Sequence, residues 1–183
     1  MFSNIFKSER IAIRRFLYRI TAAAKWLTVR KIVREINSSG EITDEQAERM
    51  SSKVRQLELN GLTSITDKQA ESLSEVEDLH LNGLTSITDK QAESLSKVWW
   101  LHLNGLTSIT DEQADSLSEV KDLYLNGLTS ITDEQADSLS KVEWLYLNGL
   151  TTITDKQAES LSKVEDLFIS EACRKLIDKY RKQ

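Results

Sequence analysis

The chain has 183 residues, of which 39% are hydrophobic and 29% are charged, and its net charge is −5. This length and apolar content suit one elongated domain with a continuous core. The single cysteine excludes a disulfide framework and a cysteine-type metal cluster, and we therefore expect a cytoplasmic protein. The acidic balance also argues against nucleic acid as a partner.

Residues 1–40 form a basic segment that differs from the rest of the chain. Residues 1–35 hold nine Lys or Arg and two Glu, which leaves a net charge of −12 for the remainder. Basic residues interrupt every apolar run, so we expect neither a signal peptide nor a membrane-spanning helix here. As a helix, residues 1–27 would place apolar side chains on one side and a basic group on the other. That basic group consists of Arg10, Arg14, Arg15, Arg19 and Lys25.

A second helix is predicted after Thr28, where the apolar stripe continues through Val29, Ile32, Val33 and Ile36. We interpret residues 29–36 as a cap, because the open apolar end of a solenoid needs cover. Residues 1–27 have two open interpretations. They either extend this cap or contact an anionic membrane surface or an acidic partner.

Residues 41–169 repeat a unit of 22 residues. A half-copy occupies residues 42–53, and a final partial copy runs from Val164 to Ile169. The five full copies begin at Val54, Val76, Val98, Val120 and Val142. A fixed period of this length predicts a solenoid, in which each repeat buries its apolar face against its neighbours.

Each repeat is predicted to contain a strand, a turn and a short helix. Leu101 and Leu103 alternate with polar or aromatic residues, which is typical of a strand with one buried face. The Asn-Gly pair at 104–105 predicts a sharp turn in which glycine supplies a positive φ. The string Thr-Asp-Glu-Gln at 110–113 predicts a capping box that begins the helix.

The pattern Val98-x-x-Leu101-x-Leu103 resembles the LxxLxL signature of leucine-rich repeats. The Ile-Thr-Asp that opens each helix is most similar to the cysteine-containing class, with Leu106 where that class usually has cysteine. The resemblance covers residues 42–169. It implies an α/β solenoid with a parallel sheet on its concave face and short helices on its convex face. It also implies protein binding, with a target that depends on the exposed residues.

Residues 170–183 are predicted to form a closing helix. Ser170 is placed to cap it, and Cys173, Leu176, Ile177 and Tyr180 share one face. Because Cys173 belongs to this apolar face, we interpret it as a buried structural thiol.

The repeats differ mainly at the two strand positions that flank the buried leucine and at the residue before them. These positions would project from the open sheet face, so they form either a diversified binding surface or a set of sites free to drift. Their aromatic content favours binding, because exposed aromatic clusters are typical of interfaces. The predicted partner-binding residues are Asp78, His80, Trp99, Trp100, His102, Asp122, Tyr124, Trp144, Tyr146 and Phe168.

The chemistry of these positions predicts a basic ligand. Asp122 would lie between Trp100 and Trp144, which is a favourable seat for an Arg or Lys side chain. We expect no cofactor and no metal, because His80 and His102 are neighbours on an open sheet and a metal usually needs three or four convergent ligands. No catalytic triad or phosphate loop is evident, so we expect no enzymatic activity.

Three functions remain open from the sequence. The leading hypothesis is a monomeric module that binds a protein or peptide on its concave face. The first alternative is a peripheral membrane adaptor that uses residues 1–27 as its anchor. The second is a structural or assembly protein.

Overall fold

A computed structural model describes residues 28–181. The chain divides into two units, residues 1–35 and 36–183. Of the first unit, residues 28–35 are described and are helical. Among the described helices, none combines the length and the apolar character that crossing a membrane requires.

The second unit alternates short helices with short parallel strands. Helix α1 spans residues 28–39 and is shared between the two units. The remaining helices are α2 (Asp44–Ser51), α3 (Asp67–Leu73), α4 (Asp89–Leu95), α5 (Asp111–Leu117), α6 (Asp133–Leu139), α7 (Asp155–Leu161) and α8 (Glu171–Arg181). The strands are β1 (Gln56–Glu58), β2 (Asp78–His80), β3 (Trp100–His102), β4 (Asp122–Tyr124), β5 (Trp144–Leu147) and β6 (Asp166–Ile169).

The six strands form one parallel sheet in the order β1 to β6, and each residue pairs with the residue 22 positions later. Consecutive helices from α2 to α8 pack on one another in the same order. This arrangement is an α/β solenoid and fits a leucine-rich-repeat solenoid, so the expected fold class is confirmed. It follows from the repeat itself, because identical units dock most simply by translation along one axis.

The core consists of the predicted apolar positions of each repeat. In the repeat that begins at Val98, Leu101, Leu103, Leu106 and Leu117 are fully buried. The inward row of the sheet comprises Leu57, Leu79, Leu101, Leu123, Leu145 and Leu167, each at most 4% exposed. The period-two pattern of the strand therefore identified its buried face correctly.

The predicted capping boxes are present, and their glutamines have a second role. The Gln113 side chain accepts from the Thr110 N–H at 3.0 Å, and the Gln113 N–H donates to the Thr110 hydroxyl oxygen at 3.0 Å. Gln113 Nε2 also donates to the carbonyl of Ile87 in the preceding repeat, at 2.9 Å. This buried amide thus begins its own helix and joins it to the repeat before it.

The reason for glycine in the Asn-Gly pair differs from the expected one. Among the described residues, only Gly40 has a positive φ, of 75°. A Cβ added at Gly105 would lie less than 3.0 Å from the carbonyl oxygens of Asn82 and Leu84. The prediction of a positive φ at Gly105 was therefore wrong, and glycine is required because two backbones approach closely here.

The asparagines of these pairs form a hydrogen-bonded ladder along the solenoid. Asn104 donates from its backbone N–H and from Nδ2 to Asn82 Oδ1, at 3.0 and 2.8 Å. Asn126 makes the same two bonds to Asn104 Oδ1. The rungs are Asn60, Asn82, Asn104, Asn126 and Asn148.

The ladder continues into the end of α1 through Asn37. Asn37 Nδ2 donates to the Glu58 carbonyl at 3.0 Å, and its Oδ1 accepts from the Gly61 N–H at 2.8 Å. In the apolar stripe of α1, Ile36 is buried. The other three apolar residues of that stripe are half-buried. The capping role of residues 29–36 and the boundaries at residues 40, 41, 169 and 170 stay predictions.

Helix α8 packs on α7 at the other end of the repeats. Cys173 and Ile177 are buried, as expected for the apolar face of this helix. The Ser170 hydroxyl donates to the Leu150 carbonyl, and the Ser170 carbonyl accepts the Arg174 N–H at the start of α8, at 3.0 Å. Arg181, at the end of α8, donates a hydrogen bond from Nη2 to the Val164 carbonyl at 2.8 Å.

Candidate functional site

Two columns of side chains cross the open face of the sheet. They occupy the strand positions on either side of the buried leucine, and the strand register aligns them. The first column, which we call the ring column, contains His80, His102, Tyr124, Tyr146 and Phe168. The second column, the Asp–Trp column, contains Asp78, Trp100, Asp122, Trp144 and Asp166.

The ring column is a continuous stack. Successive ring centroids lie 3.7, 3.8, 3.9 and 4.3 Å apart, and successive ring planes differ by 3–14°. The rings cover one another's faces, so most of them are half-buried, and the large hydrophobic residues that are exposed in the described chain are Trp99 and Phe168. We expected openly exposed aromatics. The stack forms because adjacent parallel strands are only about 4.8 Å apart.

Asp122 is the centre of the Asp–Trp column. It pairs with Trp100 on one side and with Trp144 on the other. Its Oδ1 atom is buried and has no hydrogen-bond partner in the described chain. Burial raises the pKa of the Asp122 carboxyl, while a hydrogen bond from Trp100 acts in the opposite direction. The sheet face therefore holds a carboxylate that lacks its full set of donors.

A depression of about 350 Å³ lies on the same face, towards the first repeats. Its lining residues are Arg55, Gln56, Glu77, Asp78, Trp100, His102 and Tyr124. At its rim the Arg55 guanidinium forms an ion pair with Glu77, with Nε 2.8 Å from the carboxylate. The depression shares Trp100 with the Asp122 region, so the two form one continuous surface.

Trp99 lies just before β3 and borders a separate depression. Trp99 is 58% exposed, and its ring centroid is 6.0 Å from that of Trp100. This second depression, of about 460 Å³, is lined by Ser96, Lys97, Val98, Trp99, Glu119 and Lys121. Trp99 is thus at the margin of the sheet face and does not belong to either column.

The predicted site residues of strands β2 to β6 lie on one face of the sheet. The predicted basic contact residues belong to the N-terminal segment. Arg10, Arg14, Arg15, Arg19 and Lys25 lie outside the described residues. The asparagine ladder was not anticipated. Contact between side chains along each column was expected from the strand spacing, and the structure adds that the rings stack face to face. The signal for the ladder was present in the sequence, because five asparagines recur at an interval of 22 residues.

His102 has a strongly lowered pKa within the ring column. Burial, together with the neighbouring His80, lowers the pKa of the His102 imidazole to about 4. Its side chain is 17% exposed, and it stacks on both His80 and Tyr124. The imidazole is therefore neutral at pH 7, and protonation would place a charge inside the ring column.

We expect this histidine to make stability depend on pH. Its pKa is lower in the folded chain than in the unfolded chain, so the unfolded state binds the proton more readily. Stability is then retained above about pH 6.5 and lost as the pH falls towards 4, by at most about 3 kcal/mol. Urea unfolding between pH 4 and 7 measures this loss, and a chelator is included to remove trace metal ions.

The variant His102→Tyr is the matched comparison, because Tyr124 and Tyr146 already occupy this position in the next two repeats. Its stability should fall less steeply with acidification than that of the parent chain. Equal slopes in the two proteins would contradict the assignment of the loss to His102.

The chain has little similarity to known proteins. No known protein family matches it, and no curated protein is similar to it. One similar solved structure is the internalin InlF from Listeria monocytogenes, with 15% sequence identity and a TM-score of 0.43. The match covers 75% of this chain and 48% of that internalin, so the chain spans about half the length of its neighbour. Similarity this low supports no inference about function, and the solenoid described above rests on its own strand register and hydrogen bonds.

Proposed function

We propose that this chain is a binding module for a protein or peptide, and that its sheet face receives an arginine or lysine side chain of the partner. The observation that carries the proposal is the buried, unpartnered Oδ1 of Asp122 between two tryptophans. A cation placed there would satisfy this oxygen and contact indole rings at the same time.

The spacing of the strands supports a planar cation in particular. Trp100 and Trp144 lie two strands apart, which corresponds to about 9.6 Å at the usual strand separation. A guanidinium group stacked between two rings needs roughly 7–8 Å, so a modest tilt of the indoles would close the gap. We therefore expect arginine to be preferred over lysine.

Two of the carboxylates near the site are already paired with basic side chains. Glu77 is paired with Arg55, and Glu143 is paired with Lys121 at 3.4 Å. These two carboxylates are already balanced, so they contribute little to long-range attraction. The preference for a cation consequently depends on Asp122.

Selection from a peptide library with a fixed central residue tests the proposal. Pools with Arg, Lys or Gln at the centre and random flanks are compared for binding to the immobilised chain. We expect enrichment in the order Arg, Lys, Gln. Replacing either Trp100 or Trp144 with alanine should weaken the selected peptides by about 2 kcal/mol, or roughly 30-fold in Kd.

Two further variants separate the site from the rest of the surface. Asp122→Asn should weaken binding and reduce its dependence on salt, because the ionic contribution is lost. Glu93→Ala changes an exposed residue of α4, in the helix layer, and should leave binding unchanged. Peptides whose affinity survives both tryptophan replacements would show that the binding surface lies elsewhere.

Other expectations stay predictions. They are the concave shape of the binding face, the monomeric state, the cytoplasmic location, the lack of enzymatic activity and the cysteine-containing class of the repeat. A membrane contact through residues 1–27 also stays a prediction, because its residues lie outside the described part of the chain.

A further inference from the structure

Three potential metal ligands converge at the start of the ring column. His80 and His102 are paired across β2 and β3, and their rings stack at 3.7 Å. Asp78 lies two residues before His80, on the same face of β2. In the described part of the chain, these residues form the one group of three His, Cys, Asp or Glu whose ligand atoms lie within 4.8 Å of one another.

The distances approach those of a tetrahedral metal centre. Asp78 Oδ1 is 3.0 Å from His80 Nε2 and 3.8 Å from His102 Nε2. Zinc binds such atoms at about 2.0–2.2 Å, which separates tetrahedral ligands by roughly 3.3–3.5 Å. The two rings are nearly parallel, at 14°, so each must rotate to direct its nitrogen at a shared ion. These are movements of side-chain tips and leave the sheet unchanged.

One oxygen of the Asp78 carboxylate lacks a hydrogen-bond donor. Its Oδ1 atom is buried and has no hydrogen bond in the described chain, although His80 Nε2 is close. A buried carboxylate oxygen without a donor is costly, and a metal ion would relieve that cost.

We propose that Asp78, His80 and His102 bind a divalent transition-metal ion such as Zn²⁺. Two imidazoles and one carboxylate favour zinc, cobalt or nickel over Mg²⁺ or Ca²⁺, which prefer oxygen ligands. The site is confined to β2 and β3, because Gln56 replaces the aspartate in β1 and Tyr124 replaces the histidine in β4. Asp78 and His102 line the depression of about 350 Å³, from which water would supply a fourth ligand.

Titration of the full, tag-free chain with ZnCl₂ tests the proposal, followed by calorimetry and by the visible spectrum of the Co²⁺ form. We expect one ion per chain, a tetrahedral cobalt spectrum and no competition from Mg²⁺. The chain has two histidines, so a nitrogen-15 imidazole spectrum reports on both, and Zn²⁺ should shift both. The spectrum also detects binding without any substitution that could affect folding.

Single replacements then identify the ligands. His80→Tyr and His102→Tyr should each weaken Zn²⁺ by more than about 100-fold, since even the loss of an outer-shell partner costs roughly 10–100-fold. Asp78→Asn should weaken it in the same direction. The matched control is Asp166→Asn, which changes the equivalent position of β6 beside Phe168 and should leave affinity unchanged. Unshifted imidazole signals, or Zn²⁺ binding that survives both histidine replacements, would overturn the proposal.

Discussion

Replacing Leu123 with alanine should lower the free energy of unfolding by about 2–5 kcal/mol. Leu123 is fully buried and lies in register between Leu101 and Leu145, at the middle of the inward row. The truncation removes apolar contacts and leaves a cavity. The surrounding side chains cannot collapse into it, because hydrogen bonds to both neighbouring strands hold the backbone in place.

Urea unfolding followed by circular dichroism measures this change through the midpoint and slope of the transition. Glu119→Ala is the control, because Glu119 is exposed and should alter stability by no more than about 0.5 kcal/mol. An unchanged midpoint for Leu123→Ala would contradict the inward orientation of this row.

The variant Asn104→Ala should cost about 3 kcal/mol of stability. It removes the bond from Asn104 Nδ2 to Asn82 and the two bonds that Asn104 Oδ1 accepts from Asn126. Each such bond contributes about 1 kcal/mol, and the unpaired donors of a half-buried Asn126 add to the loss.

Asn148→Ala provides a matched comparison at the end of the ladder. Asn148 donates from Nδ2 to Asn126 Oδ1 at 2.9 Å, and no described residue donates to its own side-chain oxygen. Its replacement should therefore cost only about 1 kcal/mol. Urea denaturation under the same conditions compares the stability of the two variants. If both lose the same free energy of unfolding, the two bonds that Asn104 accepts from Asn126 contribute little.

The ladder and the ring column make the repeats depend on one another. Both run perpendicular to the strands and join residue i to residue i+22, and Gln113 likewise bonds to Ile87 of the preceding repeat, 26 positions earlier. The stability of a solenoid comes largely from such interfaces between neighbouring repeats. The Asp–Trp column that we propose to bind a partner lies beside the ring column on the same sheet face, so its backbone is held in place before binding.

The sequence alone determined the features that depend on a few neighbouring residues. The period of 22 predicted the number of repeats and their docking, and the alternation of Leu101 and Leu103 predicted the buried face of each strand. The Thr-to-Gln spacing predicted the beginning of helices α2 to α7. These signals were sufficient because hydrophobic periodicity and helix capping involve residues that are close together in the sequence.

Only the tertiary structure decided the features that arise between repeats. Gly105 has no side chain because the backbone of the preceding repeat lies against it, and the local sequence does not contain that distance. The stacking of the rings, the pairing of Glu77 with Arg55 and the convergence of His80 with Asp78 depend on side-chain rotamers. These rotamers depend largely on contacts with the neighbouring repeats. A pattern in the sequence therefore identifies the residues but does not give the orientation of their side chains.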